Sequence, residues 1–274
     1  MLLRKLWRTM GLYKAQFISM IIMISLGIGI FIGFNMEWVS IEKNTGGFFD
    51  DTGFADYRIV SEAGFTKNDI KSIEDMDGVD RASRYVCVNA DVKGRDGDSV
   101  ALTVTENENV SGVMTLQGDA YDSESADGIW LSDRYAGANN IAAGDKLTLE
   151  YKNFEIKGEV KGLIKASEHM VCVRDETQIM PDYDNYGYAY ISPVFYEKAA
   201  GFEYYPQINV ISDMSKKAFT DEADDALDRT LLILSKDENI SYAGADSEIE
   251  EGKTMGSILP VLFLLIAVLT MVTT

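Results

Sequence analysis

The chain has 274 residues, of which 46% are hydrophobic and 25% charged, and it carries a formal net charge of −19 with a single histidine. That length builds one sizeable core or two small ones, and so acidic a surface repels nucleic acid and anionic lipid headgroups, which excludes nucleic acid as a partner. One histidine excludes a histidine-based metal cluster and leaves any Ser/His/Asp triad resting on His169 alone.

Residues 1–14 form a basic segment, with Arg4, Lys5, Arg8 and Lys14 and no acid. From Ala15 to Met36 there is no charge for 22 positions. At ~1.5 Å per residue this helix is about 33 Å long, enough to cross a hydrocarbon core of ~30 Å. A cleaved export signal fits less well, because the apolar run exceeds the ~7 to 15 residues of a signal core. It is also followed by Asn35-Met36-Glu37-Trp38, which offers no small-x-small cleavage site. The basic entry and the acids that follow (Glu37, Glu42, Asp50, Asp51) place the amino terminus in the cytoplasm and the middle of the chain outside it. Ser25, Gly29 and Gly33, four apart, form a stripe of small residues suited to close helix packing, although glycine is also simply common in membrane helices.

Residues 37–253 are expected to form the extracytoplasmic domain, with 21 basic and 44 acidic residues and a formal charge of −23. A linker is expected over Thr45–Gly53, then a strand at Ala55–Val60. Thr66 reads as the N-cap of a helix carrying Ile70, Ile73 and Met76 and stopped by Gly78. A strand over Arg81–Val92 turns at Gly94-Arg-Asp-Gly97 into Ser99–Thr105, so this part reads β, α, β, β. From Val110 to Ser192 short strands and glycine turns prevail, among them Gly144–Tyr151, Phe154–Val160 and Gly162–Ile164, with one helix near Ser132–Ala138. Tyr205–Ile211 reads as a strand, Lys216–Leu234 as an amphipathic helix and Ile240–Tyr242 as a last strand. Asp246–Lys253 is suited to a helical extension of the second membrane helix, residues 254–274. Pro260 is tolerated near the outer end of that helix, where first-turn amides lack partners. The expected architecture is α+β. Residues 54–109 and 201–244 make an α/β subdomain, residues 110–200 a β-rich insert, and two membrane helices flank the whole.

No residue stands out as catalytic, cofactor-binding or metal-binding, and no cofactor is expected. The chain lacks a G-x-S-x-G elbow and a phosphate-cradling G-x-x-x-x-G-K-[ST] loop, so it does not hydrolyse ATP itself by a P-loop mechanism. His169 reads as a turn residue, and Asp221, Glu222, Asp224, Asp225 and Asp228 as the solvated face of a helix rather than a calcium site. Cys87 and Cys172, the only cysteines, are candidates for one disulfide in an oxidising compartment but read better as two buried thiols, since spacing does not establish proximity.

Leu3-Arg-Lys-Leu-Trp-Arg8, Ala15-Gln-Phe17 and Ser25-Leu-Gly-Ile-Gly-Ile30 resemble the basic entry and glycine-containing first helix of FtsX-like permeases of ABC transporters. Gly128-Ile-Trp-Leu-Ser-Asp-Arg-Tyr-Ala136, Ala143-Gly-Asp-Lys-Leu-Thr-Leu149 and Val160-Lys-Gly-Leu-Ile164 are similar to motifs of the MacB-like periplasmic core domain that such permeases carry between their first two helices. The resemblance implies a porter-like α/β subdomain with a β-rich insert. It also implies further membrane helices, a cytoplasmic ABC ATPase partner, and homo- or heterodimers of permeases that transmit ATP-driven motion to the external domain. The chain stops in its second helix, so it is expected to be the amino-terminal part of a longer permease in the cell membrane. Arg4, Lys5, Trp7 and Arg8 are then candidates for cytoplasmic coupling to the ATPase, or for simple anchoring. The alternative from another class is the external sensor domain of a two-helix receptor, which a basic juxtamembrane segment and long heptads after Thr274 would mark.

Overall fold

The computed structural model describes residues 7–8, 10–175, 177–178 and 180–272 and separates into two units, Met1–Gly46 with Gly244–Thr274, and Gly47–Ala243. Helix α1 runs from Lys14 to Thr52 and the last helix, α6, from Ile240 to Val272. Both are long and apolar enough to cross a membrane. Large side chains such as Ile18, Ile21, Ile28 and Ile32 on α1, and Ile258, Leu262 and Leu265 on α6, stay exposed, as a lipid environment would favour.

The expected linker is helix. Gly46 and Gly47 lie inside α1 at a cost of ~1 kcal/mol each. The stop comes at Gly53, whose φ of 63° places it in the left-handed region. There the Phe54 amide reaches back to the Phe49 carbonyl (2.9 Å) and the Gly53 amide to Asp50 (3.2 Å), a Schellman closure. An added Cβ at Gly53 would meet the Asn109 carbonyl oxygen at 2.0 Å, so glycine is required there.

The larger unit holds a ten-stranded sheet. Its strands are β1 (Tyr57–Val60), β2 (Val79–Val92), β3 (Ser99–Thr105), β4 (Val113–Gly118), β5 (Gly128–Ser132), β6 (Lys146–Tyr151), β7 (Phe154–Ala166), β8 (Tyr186–Ile191), β9 (Gln207–Ser212) and β10 (Leu232–Ser235). The order is β10-β1-β9-β2-β3-β8-β5-β7-β4, with β6 bridging β2 and β7. Pairs β3–β8 and β5–β7 are parallel and the others antiparallel. The short helices are α2 (Lys67–Glu74), α3 (Asp133–Asn139), α4 (Pro193–Ala200) and α5 (Lys216–Leu227). Thr66 caps α2 in a reciprocal capping box with Asp69, and Ser192 and Ser215 cap α4 and α5.

Three clusters of buried side chains form on this sheet. One gathers Tyr57, Ile59, Ile73, Ile208 and Phe219 from β1, β9, α2 and α5. A second holds Leu102, Leu131, Tyr135, Leu149 and Tyr205, and a third lies around Trp130, Tyr188 and Tyr190. The sequence division at residue 110 therefore moves into β2. That strand pairs β9 through Val79–Tyr85, then β3 through Tyr85–Asp91, so one long strand serves two cores and β3 belongs to the second. Two further expectations change. Lys216–Leu234 divides into α5 and β10, because Asp228 takes a left-handed conformation (φ 49°) that ends the helix. Ile240–Tyr242 opens α6 instead of forming a strand.

Gly187 on β8 faces Tyr135, whose Cβ would lie 2.4 Å from an added Cβ. Gly187→Val is expected to lower stability by about 2 kcal/mol or more through overpacking, read as a shifted denaturant midpoint.

Candidate functional site

In the smaller unit α1 and α6 run antiparallel. Gly27 meets Phe263, Asn35 and Phe34 meet Gly256, and Trp38 meets Gly252, so the index on one helix rises as the other falls. The α1 positions involved, Met23, Gly27, Phe31, Phe34 and Trp38, follow in steps of four, four, three and four, which keeps them on one face of the helix. Gly252 and Gly27 permit the approach: an added Cβ would lie 2.7 Å from that of Trp38 and 3.1 Å from that of Phe263, respectively. At one end of the seam the Trp38 indole donates to Asn35 (3.2 Å), Lys253 pairs with Glu42 (3.2 Å), and the Lys253 ammonium lies 5.2 Å from the Trp38 ring centre. The stripe expected for packing is elsewhere. Gly29 and Gly33 have nothing within 4 Å of an added Cβ and Ser25 is exposed, because two residues beyond Gly27 is about 200° around the helix.

In the larger unit one carboxylate gathers the end of α1 and the start of α6. The 3₁₀ turn Ser167–His169 follows β7 directly. Glu168 accepts from the Ala55 amide (3.3 Å), the Ser111 hydroxyl (2.7 Å) and the Asn239 side-chain amide (2.7 Å), while its backbone carbonyl accepts from the Ser241 hydroxyl (3.0 Å). Beside it Thr52 donates to Ser167 (2.6 Å), and the amides of Ser111 and Gly112 donate to the carbonyls of Gly53 and Thr52. The directions are set by the outer partners. Asn209 donates to the Ser111 oxygen (2.6 Å), and the Asn239 carbonyl oxygen already accepts the Ser241 amide (2.9 Å), which turns the remaining hydrogens toward Glu168. Phe49, Phe54 and Tyr242 from the same two helix ends cluster with ring centres 4.5 to 6.0 Å apart. Burial raises the Glu168 carboxyl above its ordinary range, against its hydrogen-bond donors and nearby Arg58. His169, hydrogen-bonded to Thr103 (3.0 Å) and stacked on Tyr188, is pushed down to about 4 by burial.

A second polar centre lies on β2. The buried Arg84 guanidinium makes two bonds to Glu106 (both 2.6 Å), one to Glu203 (2.5 Å) and one to the Phe65 carbonyl (3.2 Å), over the Tyr205 ring at 4.3 Å. Burial works against its charge, but the carboxylates outweigh that and its pKa is raised. Glu106, Glu197 and Glu203 come close enough to one another to suggest a metal site. The Arg84 charge already sits on two of them, and Glu197 accepts from the Tyr205 hydroxyl (3.0 Å), so this is an arginine-centred network.

Of the residues singled out from sequence, Arg4 and Lys5 lie outside the described residues, and Trp7 and Arg8 are exposed. Cys87 and Cys172 are both free thiols, the first exposed and the second buried, so they are not joined as one sequence reading allowed. Glu168 and Arg84 had no local signal, since every partner that holds them lies far along the chain, the nearest being Phe65, 19 residues from Arg84.

The chain matches no protein-family model, and no curated protein matches it. Among solved structures it is similar to the extracellular domain of the noncanonic ABC-type transporter YknZ from Gram-positive bacteria, at 13% identity and a TM-score of 0.47, over 65% of this chain and 98% of that one. It is also similar to the periplasmic region of MacB from Actinobacillus actinomycetemcomitans, at 13% identity and a TM-score of 0.42, over 77% and 98%.

Proposed function

We propose that this chain is the amino-terminal part of an ABC-type permease of the FtsX and MacB kind, with its amino terminus in the cytoplasm and residues 37–253 outside. Its external domain takes up motion driven by a partner ATPase and acts on a substrate or partner protein. The observation that supports this reading is the Glu168 centre. The last turn of α1 and the first residues of α6 are bonded to one short turn, so a change in spacing between those two helix ends strains that turn, and with it β7, before anything else. The sequence motifs and the long seam of α1 with α6 point the same way.

Purification of the full-length protein from native membranes in mild detergent tests it. The reading expects a co-purifying ABC ATPase subunit with ATPase activity; recovery with a kinase or methyl-accepting signalling protein, and no ATPase, contradicts it. A second expectation concerns the turn itself. Glu168→Ala leaves three donors without their acceptor, at ~1 kcal/mol or more each. Amide hydrogen exchange in peptides covering 49–56 and 239–243 should rise at least about tenfold while peptides in β3 stay unchanged. Unchanged exchange at both helix ends would show that Glu168 does not hold them.

A further inference from the structure

The segment after the 3₁₀ turn runs beside β2 and is held to it at two points. At the first, Thr103 donates to or accepts from His169 Nε2 at 3.0 Å, and the same hydroxyl lies 3.9 Å from Cys87 Sγ. At the second, Asn89 Nδ2 meets the Arg174 carbonyl at 3.5 Å. Cys87 and Asn89 are alternate residues of one strand, on one face and about 7 Å apart. Cys172 lies between His169 and Arg174, packed among Ala101, Tyr186 and Tyr188. Ala101 pairs with Asn89 and Thr103 with Cys87, so Cys172 rests on the patch of β3 that borders Cys87. The two thiols are also unlike: Cys87 is exposed and Cys172 buried.

We propose that Cys87 and Cys172 are an oxidisable pair, Cys87 the entry thiol and Cys172 the resolving thiol, whose disulfide ties the segment from His169 to Arg174 onto β2. The reaction is thiol exchange with an oxidised disulfide reagent. Cys87 as thiolate attacks one sulfur of the reagent, forming a mixed disulfide and expelling one reagent thiolate. Cys172 then attacks the Cys87 sulfur and expels the second. The two protein thiol protons end on the two reagent thiols, so the protein loses two electrons and two protons and the reagent gains both. Burial pushes the Cys172 thiol up to about 12, which keeps it largely protonated at neutral pH and makes the exchange slow. The bond would fix the residues that follow the Glu168 turn, and thereby stiffen it.

The test uses the full chain in detergent with oxidised glutathione, quenched by alkylation and digested for mass spectrometry. The expected product is a single intramolecular link between the peptides holding Cys87 and Cys172, reversed by dithiothreitol. Its rate should rise about tenfold per pH unit between pH 7 and 9, following the thiolate fraction. The link should be absent in Cys172→Ser, where glutathione stays on Cys87. Two alkylated thiols after prolonged oxidation at pH 9, glutathione retained on Cys87 of the unaltered chain, or a link between two chains would each overturn the proposal. Because the oxidant is supplied, the result does not depend on where the domain resides or on an ATPase.

Discussion

Arg84→Met should lower the stability of the external domain by about 3 to 5 kcal/mol, the cost of leaving the partner of a buried ion pair uncompensated. The Arg84 side chain is 2% exposed and that of Glu106 is 25% exposed, whereas Glu203, at 44%, is screened by solvent and contributes little to the loss. Position adds to charge. Arg84 sits where β2 passes from one core to the next, bonded to the Phe65 carbonyl beside the first and stacked on Tyr205 in the second. Its loss should therefore reduce cooperativity between the cores as well as their stability. Denaturant unfolding followed by tryptophan fluorescence checks this, with Arg84→Met/Glu106→Gln as the companion. The double variant should recover part of the loss, since it removes the stranded carboxylate charge. A single variant within about 1 kcal/mol of the parent would show that the network carries no such weight.

Acidification should destabilise the domain through His169. Its pKa falls from 6.5 in the unfolded chain to about 4 in the fold, so the fold favours neutral imidazole. Where the folded pKa is the lower one, the unfolded chain binds more protons between the two values. The contribution of His169 is then complete above pH 6.5 and is lost as pH falls toward 4, by about 3 kcal/mol in all. Glu168 acts in the opposite sense. Its raised pKa means that the fold takes up a proton more readily than the unfolded chain, so its contribution grows as pH falls. Comparing the parent with His169→Gln isolates the histidine: the difference in unfolding free energy between pH 7.5 and pH 4 should be about 3 kcal/mol smaller in the variant. Equal pH dependence in the two proteins would contradict burial of the ring beneath the 3₁₀ turn.

Local chemistry made much of the fold legible. The uncharged run from Ala15 to Met36, the Thr66 cap with its Asp69 partner and the turn at Gly94–Gly97 all carry their instructions within a few residues. What was not legible depends on partners far along the chain. Gly46 and Gly47 argue for a linker, yet the helix continues because Phe49 gains Phe54 and Tyr242 beyond it. Leu231–Leu234 continues an amphipathic pattern, yet these residues leave the helix because β1 offers Leu232–Ser235 a full register of backbone bonds. The small-residue stripe drew attention to Gly29 and Gly33, whereas the seam uses Gly27, Gly252 and Gly256, which only the partner helix distinguishes. Glu168 is one acid among 44, and nothing but the converging donors sets it apart.

The proposed topology is an acidic domain held outside the cytoplasm between two membrane helices. It is tested most directly by labelling single cysteines in intact cells with a membrane-impermeant maleimide, in a Cys87→Ser/Cys172→Ser background. Ala126→Cys reports on the domain and Leu12→Cys on the amino-terminal end of the chain, and both positions are exposed. Ala126→Cys should be labelled in intact cells and Leu12→Cys only after permeabilisation; labelling of Leu12→Cys but not Ala126→Cys in intact cells, or of neither before lysis, would contradict this topology.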